Sequence, residues 1–137
     1  MRKALALAGA ILLACNGDKT TAVDPAVGVF VLQTVNGSSL PFNGGIVSGI
    51  GVEIVGDQYT FVQDGTYSRQ GSLRLTQLGI TTTQSIVETG TWVRNGTVVT
   101  LTIVTNNVLA TGTYSGELNG NNLTLTESGF VGLYRRQ

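Results

Sequence analysis

The sequence predicts an all-β protein, in which an antiparallel up-and-down meander of about eight or nine strands closes into a small barrel. From residue 28 onward, short runs rich in Thr, Val, Ile and Leu alternate with turn dipeptides such as Asn-Gly, Asp-Gly and Ser-Gly. No stretch shows the 3.6-residue apolar period of an amphipathic helix. Without a helix to cover its apolar face, such a meander forms a sandwich or closes on itself, and closure is the arrangement we predict.

Nine segments have strand composition and are bounded by turn residues. They are 28–36, 46–55, 58–63, 66–77, 84–94, 97–104, 108–117, 122–127 and 130–136. Asp57 and Asp64 fall between predicted strands, at turns, where an aspartate commonly hydrogen-bonds nearby backbone. A domain of this length can close a single core.

The turn dipeptides predict which residues face each other across neighbouring strands. The predicted turns are Asn95-Gly96, Asn106-Asn107, Asn119-Gly120 and Ser128-Gly129. They place Trp92 opposite Val99, Tyr114 on the far side of Val99, and Tyr134 opposite Leu123. One face of the sheet then carries aromatic residues, leucine and glycine through five strands, while the other is mostly threonine. A one-residue slip would scramble this division, so the pattern supports the predicted faces.

The N-terminus has the order of a secretory signal. Arg2 and Lys3 give a positive start, and residues 4–14 are all apolar or small. Eleven such residues are too few to span a bilayer, which takes about 20 in a helix. The only cysteine of the chain, Cys15, follows directly.

The sequence Leu12-Leu13-Ala14-Cys15 resembles the lipobox of bacterial lipoproteins. The resemblance implies that the chain is cut before Cys15 and that Cys15 carries acyl chains such as palmitate. It implies a signal peptide over 1–14 and a lipidated cysteine at 15. Residues 16–27 are polar and without periodicity, so the lipidated cysteine and a flexible tether are predicted over 15–27, and the strand-rich remainder is the barrel domain over 28–137. The expected location is the bacterial cell envelope. Asn16 favours the outer over the inner membrane, since an aspartate there would resemble an inner-membrane retention signal.

Composition argues against several functional classes. Without residues 1–14 the chain has six basic and eight acidic residues, and it shows no basic stripe, so nucleic acid is not an expected partner. The absence of histidine removes the commonest general base and metal ligand. No matched acid and base stands out among the carboxylates. We therefore expect a protein that is not an enzyme, without metal, cofactor or catalytic residues.

Five stretches resemble the lipocalin-like domains of small bacterial lipoproteins, and the order in which they occur is the stronger part of the likeness. They are GVFVLQTVNGSSLP (28–41), DGTYS (64–68), GTWVRNGTVVTLT (90–102), GTYSGELNGNNLTL (112–125) and the terminal LYRR. The resemblance implies a calycin-type up-and-down barrel. It implies no particular ligand, and the protein partner is left unknown.

A candidate ligand site follows from the predicted inner face. Its residues are Tyr67, Arg69, Glu88, Trp92 and Tyr114. Arg69 and Glu88 are predicted as inward diagonal neighbours, and a buried pair of this kind could orient the polar group of a ligand. The frequency of bulges at barrel rims favours an alternative, in which one of the two turns outward or both lie at a solvated barrel mouth.

Two functional classes remain open from the sequence. In one, the barrel holds a small apolar or amphiphilic ligand, and a lipid anchor attaches the protein to the membrane. In the other, a non-enzymatic structural or interaction protein of the envelope has a barrel filled by its own side chains. Inner-face aromatic residues fill the core of a small barrel more often than they line a pocket.

Overall fold

The computed structural model describes residues 21–108 and 110–137. The predicted signal peptide, Cys15 and the first part of the predicted tether lie outside the described residues. Within these ranges the chain forms ten strands. They are β1 Gly28–Val35, β2 Ser38–Ser39, β3 Phe42–Val47, β4 Ile50–Phe61, β5 Thr66–Gln77, β6 Ile80–Asn95, β7 Val98–Asn106, β8 Thr113–Asn119, β9 Asn122–Glu127 and β10 Phe130–Arg136.

Eight of these strands close into an antiparallel barrel. Consecutive strands pair from β3 to β10, and β1 pairs with both β10 and β4, which joins the two sides of the sheet. The short strands β2 and β3 are added at its edges. The predicted all-β, up-and-down meander is therefore confirmed. Closure satisfies the backbone groups that an open sheet would leave unpaired at its edges.

The inward and outward faces follow the prediction, but three registers, those of β6–β7, β7–β8 and β8–β9, differ from it by two residues. The loops are Gly96-Thr97 and Gly120-Asn121, one position later than predicted, because the glycines, with φ of 63° and 60°, take the first loop position. Trp92 consequently pairs with Leu101, which in turn pairs with Tyr114. The turn at Ser128-Gly129 is confirmed, and Tyr134 lies opposite Leu123 as predicted.

A bulge in β4 changes the prediction for the first half of the barrel. The predicted segment 46–55 spans the end of β3, the turn and the first half of β4, and the predicted segment 58–63 covers the end of β4. β4 is a single strand of 12 residues. Its pairing with β5 shifts between Ile54 and Gly56. The shift brings Asp57 to the inside of the barrel, so the predicted turn at this aspartate is wrong. Asp64 does lie at a turn, where its carboxylate accepts from the Thr66 backbone N–H at 2.9 Å.

Aromatic side chains fill the end of the barrel at which β1 begins, here called the closed end. Phe61 lies between Phe30 and Trp92, with edge-on ring contacts at 5.7 Å to each. Trp92 is buried, and its indole N–H donates to the carbonyl of Val62 at 3.0 Å. Arg136 covers this end with its guanidinium 4.8 Å from the centre of the Phe30 ring, a cation–π contact.

The last residues before β1 pack against the closed end. Ala26 is buried, Asp24 accepts from Arg94 at 2.8 Å, and the Arg136 side chain donates to the backbone carbonyls of Pro25 and Val27. Residues 24–27, at the end of the predicted tether, are thus packed against the barrel and do not extend freely from it.

Strands β3 to β6 extend beyond the opposite end of the barrel, here called the open end. β5 and β6 pair without a bulge from Thr66 to Gln77, whereas β6 pairs with β7 only from Glu88 onward. The remaining part of β6 pairs with β5 alone. The resulting four-stranded extension continues the inner face of the barrel outward.

Candidate functional site

Four charged side chains from four strands meet inside the barrel. This charged layer consists of Asp57 of β4, Arg69 of β5, Glu88 of β6 and Glu127 of β9. Alternation along each strand directs these positions inward. Asp57, Arg69 and Glu88 are 7%, 8% and 0% exposed. Such groups are rarely buried unless they are paired, so their contacts with each other decide whether this interior is stable.

Arg69 is the centre of the charged layer. Its Nε donates to Asp57 Oδ2 at 2.9 Å, and its Nη2 lies 2.8 Å from the same oxygen. Its Nη1 lies 2.8 Å from Glu127 Oε2 and 3.9 Å from Glu88 Oε2. The guanidinium thus hydrogen-bonds two carboxylates, while the contact with the third is electrostatic only.

Arg69 and Glu88 lie directly opposite each other in the β5–β6 ladder, rather than diagonally as predicted. Both side chains are buried, so the alternative with a bulge or a solvated mouth is wrong for this pair. The pairing has this register because the hairpin turns at Leu78-Gly79, both with positive φ, so that β6 begins at Ile80, four residues before the start of the predicted strand 84–94.

The four tyrosine hydroxyls connect the charged layer to the aromatic core. Tyr67 and Tyr114 each donate to Glu88 Oε1 at 2.7 Å, and Tyr134 donates to Asp57 Oδ2 at 2.8 Å. Because Tyr114 uses its proton toward Glu88, the Tyr59 hydroxyl donates to Tyr114, at 2.8 Å. Burial raises the pKa of all four hydroxyls above the ordinary value of 10.0. They therefore serve as hydrogen-bond donors at neutral pH.

One oxygen of the charged layer lacks a partner. Glu88 Oε2 is buried and accepts no hydrogen bond from any of the described residues. Its other oxygen, by contrast, accepts two. A buried carboxylate oxygen without a donor is costly, so this atom marks a place where the interior lacks a hydrogen-bond donor.

Tyr67, Arg69, Glu88 and Tyr114 lie together, whereas Trp92 does not join them. The first four are linked by the contacts of Arg69 and Glu88. Trp92 packs on Phe61 at the closed end and hydrogen-bonds Val62. Tyr67 also fills the space over Gly90, where a Cβ would lie 2.5 Å from the Tyr67 ring. No room for a ligand is therefore expected between Trp92, Tyr67 and Tyr114.

Sequence reasoning missed two charged partners of Arg69. The sequence predicts a turn at Asp57, because the β4 bulge interrupts the alternation that would otherwise indicate an inward side chain. Glu127 ends β9, and its contact with Arg69 joins residues 58 positions apart. The alternation of Glu127 with Leu125 and Leu123 did signal an inward position, but only closure of the barrel brings it to Arg69.

A cavity of about 170 Å³ lies inside the open end, next to the charged layer. Asp57, Arg69, Glu127, Ser128 and Tyr134 form its polar lining. Apolar side chains form the rest, among them Leu32, Ile54, Leu73, Ile86, Leu125 and Phe130. Apolar walls with a few convergent polar groups are typical of small-molecule sites. Of the five predicted site residues, only Arg69 lines this cavity.

The chain matches no protein-family model, and it has no significant similarity to a curated protein. Across residues 21–108 and 110–137, no group of three or more acidic or cysteine side chains is placed to hold a metal ion. No helix in that part of the chain is long and apolar enough to cross a membrane.

Replacing Arg69 is expected to destabilise the barrel far more than replacing a second ion-paired arginine on the same strand. Arg69→Met leaves buried carboxylates without their counter-charge, which costs about 3–5 kcal/mol. Arg74→Met removes an ion pair with Glu53 that is largely exposed, with side chains 44% and 31% accessible, and costs about 1 kcal/mol or less. Urea unfolding of both variants measures the difference. Equal losses would contradict the buried position of Arg69.

The tyrosines predict a loss of stability at alkaline pH. Their pKa values are raised in the folded state, so their contribution is fully present below about pH 10 and falls as the pH rises through the folded values. Above about pH 10 the free energy of unfolding should fall by about 1.4 kcal/mol per pH unit for each tyrosine that stays protonated. Tyr59→Phe should reduce this slope by one such contribution.

Tyrosinate absorbance and circular dichroism, followed together from about pH 9 to about pH 12, test this expectation. Ionisation should coincide with cooperative unfolding. Four hydroxyls that ionise near pH 10 while the fold persists would show that they are not buried in the charged layer.

Proposed function

We propose that this protein is a lipid-anchored envelope lipoprotein whose lipocalin-like barrel binds a small amphiphilic or apolar molecule at its open end. The cavity of about 170 Å³, with apolar walls and a buried charged lining, is the observation that carries the binding proposal. A site with this make-up can bury a hydrophobic group and fix its orientation by polar contacts. The role assigned is binding, not catalysis.

The size of the cavity limits the part of the ligand that enters it. An apolar cavity of about 150 Å³ is large enough for a benzene molecule. The buried part of the ligand is therefore a single ring or a short aliphatic chain, in contact with residues such as Ile54, Leu73 and Leu125.

A longer ligand would find further apolar surface on the four-stranded extension. A groove of about 250 Å³ there is lined by Ile50, Leu75, Leu78 and Ile80. Leu73 and Leu75 are two positions apart on β5, so they point to the same face, and the groove continues the cavity wall. Leu78 and Ile80 are 96% and 69% exposed, which leaves this surface accessible to a chain that leaves the cavity.

The lipoprotein part of the proposal rests on the lipobox resemblance at Cys15. The chain enters the barrel at the closed end, where residues 24–27 pack. An anchor at Cys15 would therefore attach to the closed end, and the cavity would open at the end of the barrel farther from the anchor. This orientation leaves the cavity accessible from the solvent side.

The aromatic core favours the second candidate, a structural or interaction protein of the envelope. Five buried aromatic rings already fill the closed half of the barrel, in the manner of a barrel without a ligand. A test for ligand binding at the open end distinguishes the two candidate functions.

Neutral ligands of benzene size should bind in the cavity and stabilise the fold. Benzyl alcohol at about 100 times its dissociation constant should raise the free energy of unfolding by about 2.7 kcal/mol, seen as a higher melting temperature. Leu73→Trp, which fills the cavity, should abolish this increase. Leu75→Trp is the matched control on the same strand and face, outside the cavity lining, and should retain it. Absence of any thermal response in the unsubstituted protein would favour the structural role.

Acylation at Cys15 is tested by metabolic labelling with a fatty acid. The protein should be labelled, Cys15→Ala should lose the label, and the neighbouring substitution Asn16→Ala should keep it. The physical reason is that the thiol is the acceptor of the first lipid, and several acyl chains are needed for stable anchoring. Label that remains on Cys15→Ala would contradict the assignment.

A further inference from the structure

The charges that surround the cavity determine which polar group a ligand can bring into it. We infer that the ligand of this cavity carries a positively charged amine and that carboxylates such as fatty acids are excluded. This inference rests on the proposed binding function and adds the chemical class of the ligand.

The first observation is an imbalance of charge. Three carboxylates, Asp57, Glu88 and Glu127, surround one guanidinium, Arg69, which leaves a formal excess of two negative charges. Because the layer is buried, this excess acts through a low dielectric and is weakly screened by salt. It attracts a cation and repels an anion.

Arg69, the only cationic group in the cavity lining, is already engaged. Its Nε and Nη2 bind Asp57, and its Nη1 binds Glu127 at 2.8 Å. A ligand carboxylate would add a further negative charge beside Asp57 and Glu127, which already compensate the guanidinium. Like charges at this distance repel each other, and burial makes the repulsion stronger.

The second observation concerns Glu88. Its Oε2 is fully buried, has no donor among the described residues, and lies 3.9 Å from Arg69 Nη1. Glu88 does not line the cavity, so this poorly compensated carboxylate acts on a ligand through its charge and not through a direct hydrogen bond. An ammonium group brings the positive charge that the interior lacks, and it has three N–H donors and no acceptor for the carboxylates that do line the cavity.

The geometry of the cavity indicates how an amine would lie. The Glu127 side chain is 34% exposed and lines the cavity beside Asp57, whose side chain is only 4% exposed, so an amine that enters from the open end meets Glu127 first. An ammonium placed there would form charge-assisted hydrogen bonds with them, while an attached ring contacts Leu73 and Ile54. An organic cation is favoured over a metal ion, because the described residues offer no cluster arranged as metal ligands.

Three probes of one size and different charge test the inference. Benzylamine, benzyl alcohol and benzoate are titrated at neutral pH and equal ionic strength into the full chain in phosphatidylcholine vesicles. Binding is measured by calorimetry, with protein-free vesicles as the blank. Benzylamine should bind about tenfold more tightly than benzyl alcohol, since a charge-assisted hydrogen bond is roughly twice as strong as a neutral one. Benzoate should bind most weakly.

Two variants locate the effect at the cavity. Glu127→Gln should weaken benzylamine binding by about tenfold and weaken benzyl alcohol binding much less, because the main change is the loss of a charge. Glu117→Gln makes the same change on the exposed outer face of β8 and should alter neither.

The outcomes separate this inference from the proposed function. Benzoate or benzyl alcohol binding as tightly as benzylamine would overturn the amine preference while leaving a ligand-binding cavity. An equal loss of benzylamine affinity in Glu117→Gln would also overturn it. If none of the three probes binds, both the amine preference and the binding function are wrong.

Discussion

The buried guanidinium of Arg69 is the constraint on which the rest of the barrel interior depends. It lies 2.8 Å from carboxylate oxygens of β4 and β9. β4 is the neighbour of β5 in the sheet, whereas β9 pairs with neither β4 nor β5. A charge at this depth is tolerated only because its partners surround it. Asp57 and Glu127 therefore depend on Arg69 as much as it depends on them. The tyrosine hydroxyls extend the dependence into the core, because Glu88 and Asp57 accept hydrogen bonds from three of them.

The charged layer divides the barrel into a closed end that is filled by side chains and an open end that contains a cavity. Toward the closed end, aromatic rings pack edge-on and stacked around Phe61, as the interior of a small barrel requires. Toward the open end, a cavity of about 170 Å³ remains beside the layer. Side chains that must keep their ion pairs cannot move to fill that space without losing them. The requirement that keeps Arg69 paired thus also preserves a small site with apolar walls, which supports binding as the proposed role.

Much of the fold follows from alternation in the sequence, and the errors have physical causes. Side chains alternate along a strand with a period of two, so the sequence pattern assigns faces but cannot detect a register shift of two residues. The prediction for Trp92 therefore has the correct face but the wrong residue opposite it. The β4 bulge reverses alternation after Ile54, which hid the inward position of Asp57. Of the candidate site, Tyr67, Arg69, Glu88 and Tyr114 could be found by alternation alone. The contact between Arg69 and Glu127 depends on closure, which no local pattern reports.

A double-mutant cycle between Arg69 and Asp57 tests most directly whether the charged layer acts as one unit. Arg69→Met, Asp57→Asn and the double variant are compared with the unsubstituted protein by urea unfolding. Residues that share a buried ion pair should be coupled by about 2 kcal/mol, because the second substitution removes a group that the first has already left unpaired. The double variant should therefore lose clearly less stability than the two single variants together. Additivity to within about 0.5 kcal/mol would show that the two side chains act independently, and it would contradict the account.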